Sequence, residues 1–164
     1  MPISTRKRPP LPEFSLRAVG KIGRGPEAEL FTRYNDRLRP KLLVSEIPEG
    51  RGSPAEIKRR EAAALLSGLP ADAFAVALDL GGKAPDSEAF AALLTGWIDS
   101  GKNIVFLIGG AEGLDASVIA RANHVLSLGA FTWPHMLVRV LLAEQLFRAR
   151  AIAGGHPYHR AGRP

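Results

Sequence analysis

The stretch IVFLIGGAEGL, residues 104–114, decides the fold of this chain of 164 residues. Its first five residues are all apolar, which is typical of a strand buried on both faces of a parallel sheet. The glycines that follow end the strand, and a short helix is predicted just beyond them, at about residues 116–122. A buried strand that leads through a glycine loop into a helix indicates an α/β fold.

The same alternation continues on both sides of this stretch. Apolar or alternating runs predict four further strands, at residues 14–19, 42–47, 75–80 and 124–128. Helices with an apolar face are predicted to begin at Pro26, at Pro54, at about Ser87 and at about Pro134. The order predicts a single α/β domain with a mostly parallel sheet of about five strands.

Local signals fix several boundaries. Ser53 and Glu56 have the spacing of a capping box, and Pro54 stands at the first helical position, so a helix is expected to run from there to about residue 66. Gly81 and Gly82 are expected to turn the chain after the third strand. The last helix, at about residues 134–153, is apolar around much of its circumference.

The composition is that of an ordinary globular protein, with 46% hydrophobic and 23% charged residues. No apolar run approaches the roughly 20 residues that span a bilayer, so no membrane partner is expected. The chain has no cysteine, which excludes a disulfide framework, a thiolate nucleophile and a zinc–thiolate site. This composition is consistent with a reducing compartment, and a cytoplasmic location is expected.

The net charge of +6 is clustered along the chain. Residues 1–41 hold ten Lys or Arg against four acids, and no acid follows Glu144, whereas four arginines do. A polyanion such as RNA suits a surface of this kind, because each neutralised phosphate releases a condensed counterion. A basic surface that binds nothing is the alternative, and charge alone does not separate the two.

The first twelve residues differ from the rest. They contain Arg6, Lys7, Arg8 and four prolines, with little apolar content, and predict a basic, proline-rich mobile tail at residues 1–12 ahead of a domain at residues 13–164. A transit peptide is the alternative, but the segment is short and too rich in proline for an amphipathic helix.

Two glycine-bearing loops follow predicted strands and are candidate ligand loops. The first is the GGAEG loop at residues 109–113, and the second is LGAFTWPH at residues 128–135. Neither is a dinucleotide fingerprint or a phosphate-binding Walker loop. Loops from two strand ends could clasp one flat ligand, although each taken alone is more typical of a plain turn.

Polar candidates are few. Asp79, near the end of a predicted strand, and Glu112, in the loop after another, stand where paired carboxylates could act, although nothing in the sequence shows that they face each other. The cluster HPYHR at residues 156–160 suits stacking on a base and holding phosphate. A frayed basic terminus is the alternative for that cluster. The histidines lack the spacing of zinc hydrolases, so no metal is expected.

Four motifs then stand in order along the chain. They are residues 104–114, SLGAFTWPHMLVRV at 127–140, EQLFR at 144–148 and HPYH at 156–159. Together they resemble the large-subunit rRNA pseudouridine N3-methyltransferases of the SPOUT class, and weaker similarity upstream extends the resemblance to about residues 16–160. The chain departs from the family pattern in its additional tail at residues 1–12 and in Ala111, where proline is common.

The resemblance implies a C-terminal trefoil knot that binds S-adenosylmethionine, and a homodimer in which the C-terminal tail completes the site. It implies large-subunit rRNA within the ribosome as the partner. The cofactor contacts it implies map onto Leu78, Gly109, Leu128, Gly129, Ala130, Phe131, Thr132 and Trp133. The apolar helix at 134–153 favours a dimer independently, because a chain of this length is expected to struggle to bury it alone.

The implied reaction is methyl transfer to N3 of a pseudouridine, an imide nitrogen that must lose its proton. Positive charge from Arg139 or Arg160 would favour the anion, and Tyr158 or His159 would orient the base or relay the proton. These four are the expected catalytic residues. The alternatives are a non-catalytic RNA- or ribosome-binding module with the same knot, and a SPOUT enzyme with another RNA target such as a tRNA ribose.

Overall fold

The computed structural model describes residues 9–161. The tail predicted at residues 1–12 therefore falls mostly on residues 1–8, outside the described part of the chain. Residues 9–13 form no helix or strand. The backbone of Glu13 is fixed by Asn103, because its N–H donates to Asn103 Oδ1 at 2.9 Å, and this contact sets the entry into the first strand.

Five parallel strands form one sheet, which confirms the predicted fold class. In chain order they are β1 (Phe14–Val19), β2 (Leu42–Ile47), β3 (Phe74–Lys83), β4 (Ile104–Ile108) and β5 (His124–Leu126). Their order across the sheet is β2-β1-β4-β3-β5, with β4 at the centre and buried throughout. Phe14 and Phe74 both pair with Ile104, so these strands start level and their carboxyl ends meet at one edge of the sheet.

Five helices connect or follow the strands: α1 (Pro26–Asn35), α2 (Pro54–Leu66), α3 (Ser87–Asp99), α4 (Ala116–Arg121) and α5 (His135–Ala153). The predicted capping box at the start of α2 is confirmed. The backbone N–H of Glu56 donates to Ser53 Oγ, and the backbone N–H of Ser53 donates to Glu56 Oε2, each at 3.3 Å.

The prediction that the chain turns at Gly81 and Gly82 is wrong. Strand β3 continues to Lys83, which pairs with Leu126 of β5 after a shift in register. A Cβ atom on Gly82 would lie 2.5 Å from the carbonyl oxygen of Val125, so the glycine is what allows β3 to lie this close to β5. Strand β5 itself is shorter than predicted and ends at Leu126.

Two apolar layers cover the sheet. On one face α1, α3 and α5 pack around Leu16, Phe106 and Ile108, and on the other α2 and α4 pack around Val105 and Leu107. The sheet is therefore the middle layer of a three-layer domain, as parallel sheets require.

The sequence predicts that a single chain would struggle to bury the last helix, and the structure buries one face of it within the same chain while Leu137 and Leu141 stay partly exposed. Helix α5 packs against α1 and α3 of the same chain. Five of its residues on this face are no more than 7% exposed: Val140, Leu142, Ala143, Leu146 and Ala149. The buried face of α5 is therefore no argument for a dimer, and the homodimer stays a prediction of the resemblance.

The end of α5 is defined by two glycines. The backbone N–H of Gly154 donates to the Arg150 carbonyl at 3.0 Å, and that of Gly155 donates to the Ile152 carbonyl at 3.1 Å. Gly155 adopts a φ of +70°, which reverses the direction of the chain. The C-terminal segment is thereby directed back along α5.

The predicted trefoil knot is compatible with this strand order and with the position of α5 between α1 and α3. The threading itself stays a prediction. None of the helices within residues 9–161 is long and apolar enough to cross a membrane.

Candidate functional site

A cavity of about 320 Å³ opens at the carboxyl ends of β3, β4 and β5. Three chain segments and the start of α5 form its wall. The lining residues are Leu78, Asp79, Leu80, Ile108, Gly109, Gly110, Ala111, Glu112, Gly113, Leu114, Leu126, Leu128, Phe131, Thr132, Trp133, His135 and Val138. A cavity at the carboxyl edge of a parallel sheet is where α/β proteins bind ligands.

The first wall is the glycine loop after β4. A Cβ atom on Gly109 would lie 2.9 Å from the backbone carbonyl of Gly113, and the N–H of Gly113 donates to the Gly110 carbonyl at 3.1 Å. Gly113 itself has a φ of +79°, which favours glycine. The loop is folded tightly on itself, and it presents backbone rather than side chains to a ligand.

The second wall is the loop after β5. Ser127 Oγ lies 3.2 Å from the N–H of Gly129 and 3.0 Å from its carbonyl oxygen, and Gly129 has a φ of +105°. The loop then presents two aromatic rings, Phe131 (78% exposed) and Trp133 (40% exposed), whose centroids lie 6.3 Å apart. Exposed rings at a cavity mouth suit a flat aromatic ligand.

The charge of the cavity is opposite to that of the protein. Two carboxylates, Asp79 and Glu112, line it, and of the described residues no Lys or Arg does. The net charge of the chain is nevertheless +6. The cavity therefore favours a cationic ligand and disfavours the phosphates that Gly-rich loops often bind. Within residues 9–161 no group of three or more His, Asp or Glu side chains converges to hold a metal ion.

Arg139 is buried and does not line the cavity. Its guanidinium is 1% exposed, donates to Glu46 Oε2 at 2.6 Å, and also donates to the carbonyl oxygens of Val19 (2.9 Å) and Gly20 (2.6 Å). Burial opposes ionisation of Glu46, but the hydrogen bonds from Arg139 and from the Ile22 N–H lower the pKa of this carboxyl. Arg139 thus ties the start of α5 to the ends of β1 and β2, and in this structure it cannot touch a substrate.

The C-terminal segment packs against the second half of α5. The Tyr158 hydroxyl donates to Glu144 Oε1 at 3.1 Å, and the Tyr158 ring packs edge-on against Phe147 with centroids 4.7 Å apart. The Arg148 guanidinium lies 4.9 Å from the Tyr158 ring centroid and donates to Glu144 Oε1 at 2.6 Å. We call this group (Glu144, Phe147, Arg148, Tyr158 and His159) the tail seat.

The tail seat also affects the ionisation of the Tyr158 phenol and brings Arg148 close to His159. Burial and the Glu144 carboxylate raise the pKa of the Tyr158 phenol, which therefore stays a neutral donor. Arg148 Nη1 lies 3.1 Å from His159 Nδ1. A guanidinium only donates, so in this contact His159 Nδ1 is on the acceptor side, and His159 Nε2 lies 3.7 Å from Glu88 Oε1.

The structure separates the predicted site residues into two groups. Leu78, Gly109, Leu128, Phe131, Thr132 and Trp133 line the cavity, whereas Gly129 and Ala130 lie in the same loop without lining it. Tyr158 and His159 lie in the tail seat, and Arg160 follows them, exposed. Val138 is the last residue of α5 that lines the cavity, and Glu144 of the tail seat lies six positions beyond it, a rise of about 9 Å along the helix.

Sequence reasoning left several lining residues unassigned. Leu80 lies in the second half of β3, Leu126 is the last residue of β5 and Val138 stands near the start of α5, and all three line the cavity. His135 lines it as well, and its buried Nε2 has no hydrogen-bond partner within residues 9–161. In the sequence these lining residues could be identified only by their position, because all of them lie at the carboxyl edge of the predicted sheet.

Comparisons with known proteins match these features. The family model described as "Predicted SPOUT methyltransferase" matches residues 13–159. A protein of Gluconacetobacter diazotrophicus named "Ribosomal RNA large subunit methyltransferase H" is 64% identical over 147 residues, 90% of this chain and 97% of that protein. The protein of the same name from Acidiphilium cryptum is 58% identical, with 90% and 93% covered. The solved structure of TrmJ from Z. mobilis ZM4 superimposes with a TM-score of 0.54 over 85% of this chain and 70% of that one, at 13% identity, which shows likeness of fold.

Proposed function

This chain belongs to the SPOUT methyltransferase family, and from that premise we propose that it transfers a methyl group from S-adenosylmethionine to N3 of a pseudouridine in large-subunit rRNA. The relatives named for large-subunit rRNA methylation support the substrate, because they match nearly their whole length at 58–64% identity. The HPYH motif at residues 156–159 supports the pseudouridine base over a tRNA ribose. The reaction would take place on the ribosome, in the cytoplasm.

The charge of the cavity is the observation that carries the proposed cofactor. S-adenosylmethionine is a cation at sulfur with a flat adenine ring, and the cavity offers two carboxylates, no Lys or Arg among the described lining residues, and the Phe131–Trp133 pair. The glycine loop allows the backbone to approach such a ligand closely. The residues that would hold it are those lining the cavity, with Gly129 and Ala130 shaping the second loop.

When bound, the cofactor supplies an activated methyl group on a sulfonium, and no metal is needed. Transfer forms the N3–C bond, breaks the donor's S–C bond and releases the N3 proton to solvent. The protein's task is to orient the base and to stabilise the anion that forms at N3. In this proposal Arg160 provides the positive charge, and Tyr158 and His159 orient the base.

Arg139 has a different role in the proposal. Its burial and its bonds to Glu46, Val19 and Gly20 make it a positioning residue that fixes the start of α5, which forms part of the cavity wall, to the ends of β1 and β2. The sequence-based expectation that it supplies charge to the substrate is therefore replaced by an indirect role.

A composite site between two copies follows from the separation described above. Glu144 of the tail seat lies about 9 Å along α5 beyond Val138, the last residue of this helix that lines the cavity of its own chain. Arg160 and the cavity could meet if the tail of one copy reaches the cavity of its partner in a symmetric dimer. We therefore propose the homodimer as the active form, with residues 13–164 as its domain and the tail at 1–12 as an additional rRNA contact.

The test is methyl transfer itself. Purified protein is incubated with labelled S-adenosylmethionine and ribosomes that lack the modification, and the product is mapped by mass spectrometry of rRNA fragments. Methyl on a pseudouridine of the large subunit is expected. Cofactor binding with transfer to another RNA would overturn the substrate, and binding of ribosomes without any cofactor would leave a non-catalytic module.

Mixing two inactive variants tests the composite site. Arg160→Ala removes the proposed charge and Gly109→Val obstructs the cavity, so each alone should be inactive. Random assortment of the two gives heterodimers with one intact site, so activity should return to about a quarter of wild type. A mixture that stays inactive would mean that the cavity and the Arg160 of one active site come from the same chain.

A further inference from the structure

A third carboxylate lies against the cavity from outside it. Glu61, on α2, is 4% exposed, and Glu61 Oε1 accepts from the Gly50 N–H at 2.9 Å. A Cβ atom built on Gly110 would lie 3.2 Å from Oε1 and 3.1 Å from Oε2, so the carboxylate faces the underside of Gly110. Gly110 lines the cavity. The Val19 Cγ1 atom would lie 3.0 Å from the same Cβ position, so Glu61 and Val19 both pack against Gly110, which lies between them and the cavity.

The second oxygen of Glu61 has no partner. Glu61 Oε2 is buried and receives no hydrogen bond within residues 9–161, and in the same part of the chain no cation lies within 4.0 Å of it. A buried carboxylate that lacks a cation is costly, because both solvation and pairing are missing. A positive charge brought into the cavity would compensate for it.

We propose that Glu61 is a specificity-determining residue that makes the cavity prefer the cationic cofactor over its neutral product. The inference rests on the proposed function, in which the ligand enters with a sulfonium and leaves as S-adenosylhomocysteine, a thioether. The two compounds differ by one methyl group and by one positive charge at sulfur. A negative charge that water cannot screen attracts the sulfonium of the cofactor and has no such interaction with the thioether of the product.

Glu61 is better placed for this than the two carboxylates that line the cavity. Glu112 is exposed and Asp79 is partly exposed, so water and salt screen their charges. Glu61 is sealed beneath the loop, where the effective dielectric constant is lower. Its interaction with the cation is lost when the methyl group is transferred, and the product is released more readily.

The test is a ratio of two dissociation constants. For a unit charge on the order of 10 Å from the sulfur, at an effective dielectric constant of about 20, Coulomb's law corresponds to about a tenfold change in binding. Glu61→Gln keeps the shape and the acceptor for the Gly50 N–H while it removes the charge. Calorimetry should show the preference for S-adenosylmethionine over S-adenosylhomocysteine falling about tenfold, with most of the loss in S-adenosylmethionine affinity.

Two controls separate charge from packing. Glu56→Gln is the same change on the same helix at the solvent-facing capping box, and it should leave the ratio unaltered. Sinefungin carries a protonated amine in place of the sulfonium and should lose affinity for Glu61→Gln as S-adenosylmethionine does. Equal weakening of all three compounds would reduce Glu61 to a support for the loop and overturn the inference.

Failure of the inference is distinct from failure of the proposed function. A wild-type protein that binds neither S-adenosylmethionine nor its product would contradict the proposed function. A wild-type protein that binds both, with the same ratio as Glu61→Gln, would contradict the role of Glu61 alone. Thermal unfolding of each variant, followed by circular dichroism, shows whether the ratio is measured on folded protein.

Discussion

The cavity and the tail seat are built by opposite means, although the same helix serves both. The cavity is made of strand ends, glycine backbone and carboxylates, and none of its described lining residues is Lys or Arg. The tail seat is made of long side chains: Arg148 is paired with Glu144, and Tyr158 packs against Phe147. The shape of the cavity is therefore fixed by the backbone, whereas the C-terminal tail is held in its seat by contacts between side chains.

The difference indicates a division of labour. A site built from backbone at a sheet edge is rigid and suits a constant ligand, whereas a tail held by a few side-chain bonds can be repositioned by a partner or a substrate. Helix α5 fixes the distance between the two. A change in one region should therefore affect one function and spare the other, unless it acts on α5 itself.

The largest effect is expected where the start of α5 is attached to the sheet. Arg139→Met leaves two buried carbonyl oxygens without a donor and Glu46 without its cation, which should cost about 3 kcal/mol in the free energy of unfolding. Urea denaturation measures it. Lys41→Met removes the cation of an exposed pair with Asp36 and should cost less than about 1 kcal/mol. Equal losses would mean that Arg139 anchors nothing.

A more selective break is expected within the cavity. The side chain of Gly109→Val would lie within about 3 Å of the Gly113 backbone and should displace the loop, with cofactor affinity weakened about a hundredfold, or about 2.7 kcal/mol. Calorimetry with S-adenosylmethionine measures it. Gly96→Ala, in α3, meets no neighbour within 4 Å and should retain full affinity. Unchanged binding in Gly109→Val would place the ligand elsewhere.

Tyr158→Phe should act on the tail seat alone. The change removes the hydrogen bond to Glu144 and keeps the ring against Phe147, so the tail should be held in its seat by about 1 kcal/mol less. Because the tail carries the proposed catalytic residues, kcat should fall about fivefold. The dissociation constant for S-adenosylmethionine should stay the same, because the cavity is untouched. A change in that constant with kcat unaltered would show that the two regions are not separate.

The smallest effect is a dependence of stability on pH. The pKa of Glu46 is lowered from its ordinary value of 4.5, since its bonds to Arg139 and to the Ile22 N–H outweigh burial. A lowered pKa means that the stabilisation is complete above pH 4.5 and is lost as the pH falls below it. Glu46 is about a third exposed, so the loss should be only about 0.5 kcal/mol. Unfolding measured between pH 6 and pH 3 should show a flatter profile for Glu46→Gln; parallel profiles would contradict this.

The sequence predicted most of the fold because the signals were local. The bounds of β1, β2 and β4 and the start of α2 follow from apolar runs and from the Ser53–Glu56 capping box. The sequence misled at Gly81 and Gly82, where glycine serves close packing between β3 and β5 instead of a turn. Close packing is a property of the folded neighbours, which a local pattern does not contain.

The sequence predicted which residues lie near the site, but it did not predict which of their side chains are bonded to other groups of the protein. Strand ends pointed to the loops that begin at Gly109 and Leu128, the family resemblance added Leu78, and the structure brings all three residues to one cavity. The reaction that the resemblance implies placed Arg139 among the catalytic residues as a source of positive charge, although it is buried against Glu46. An arginine one turn into a helix looks the same in sequence whether it points to a ligand or into the core. Glu61 gave no signal, because a buried acid within a basic, polar helix resembles a solvated one.

The exit of the tail through Gly154 and Gly155 has a consequence for handling the protein. The segment beyond them depends on the end of α5, the part of a helix that frays first. On warming, the tail should detach while the sheet beneath remains intact. Heat inactivation would then precede melting, and a stored sample could retain its full circular-dichroism spectrum after its turnover has gone.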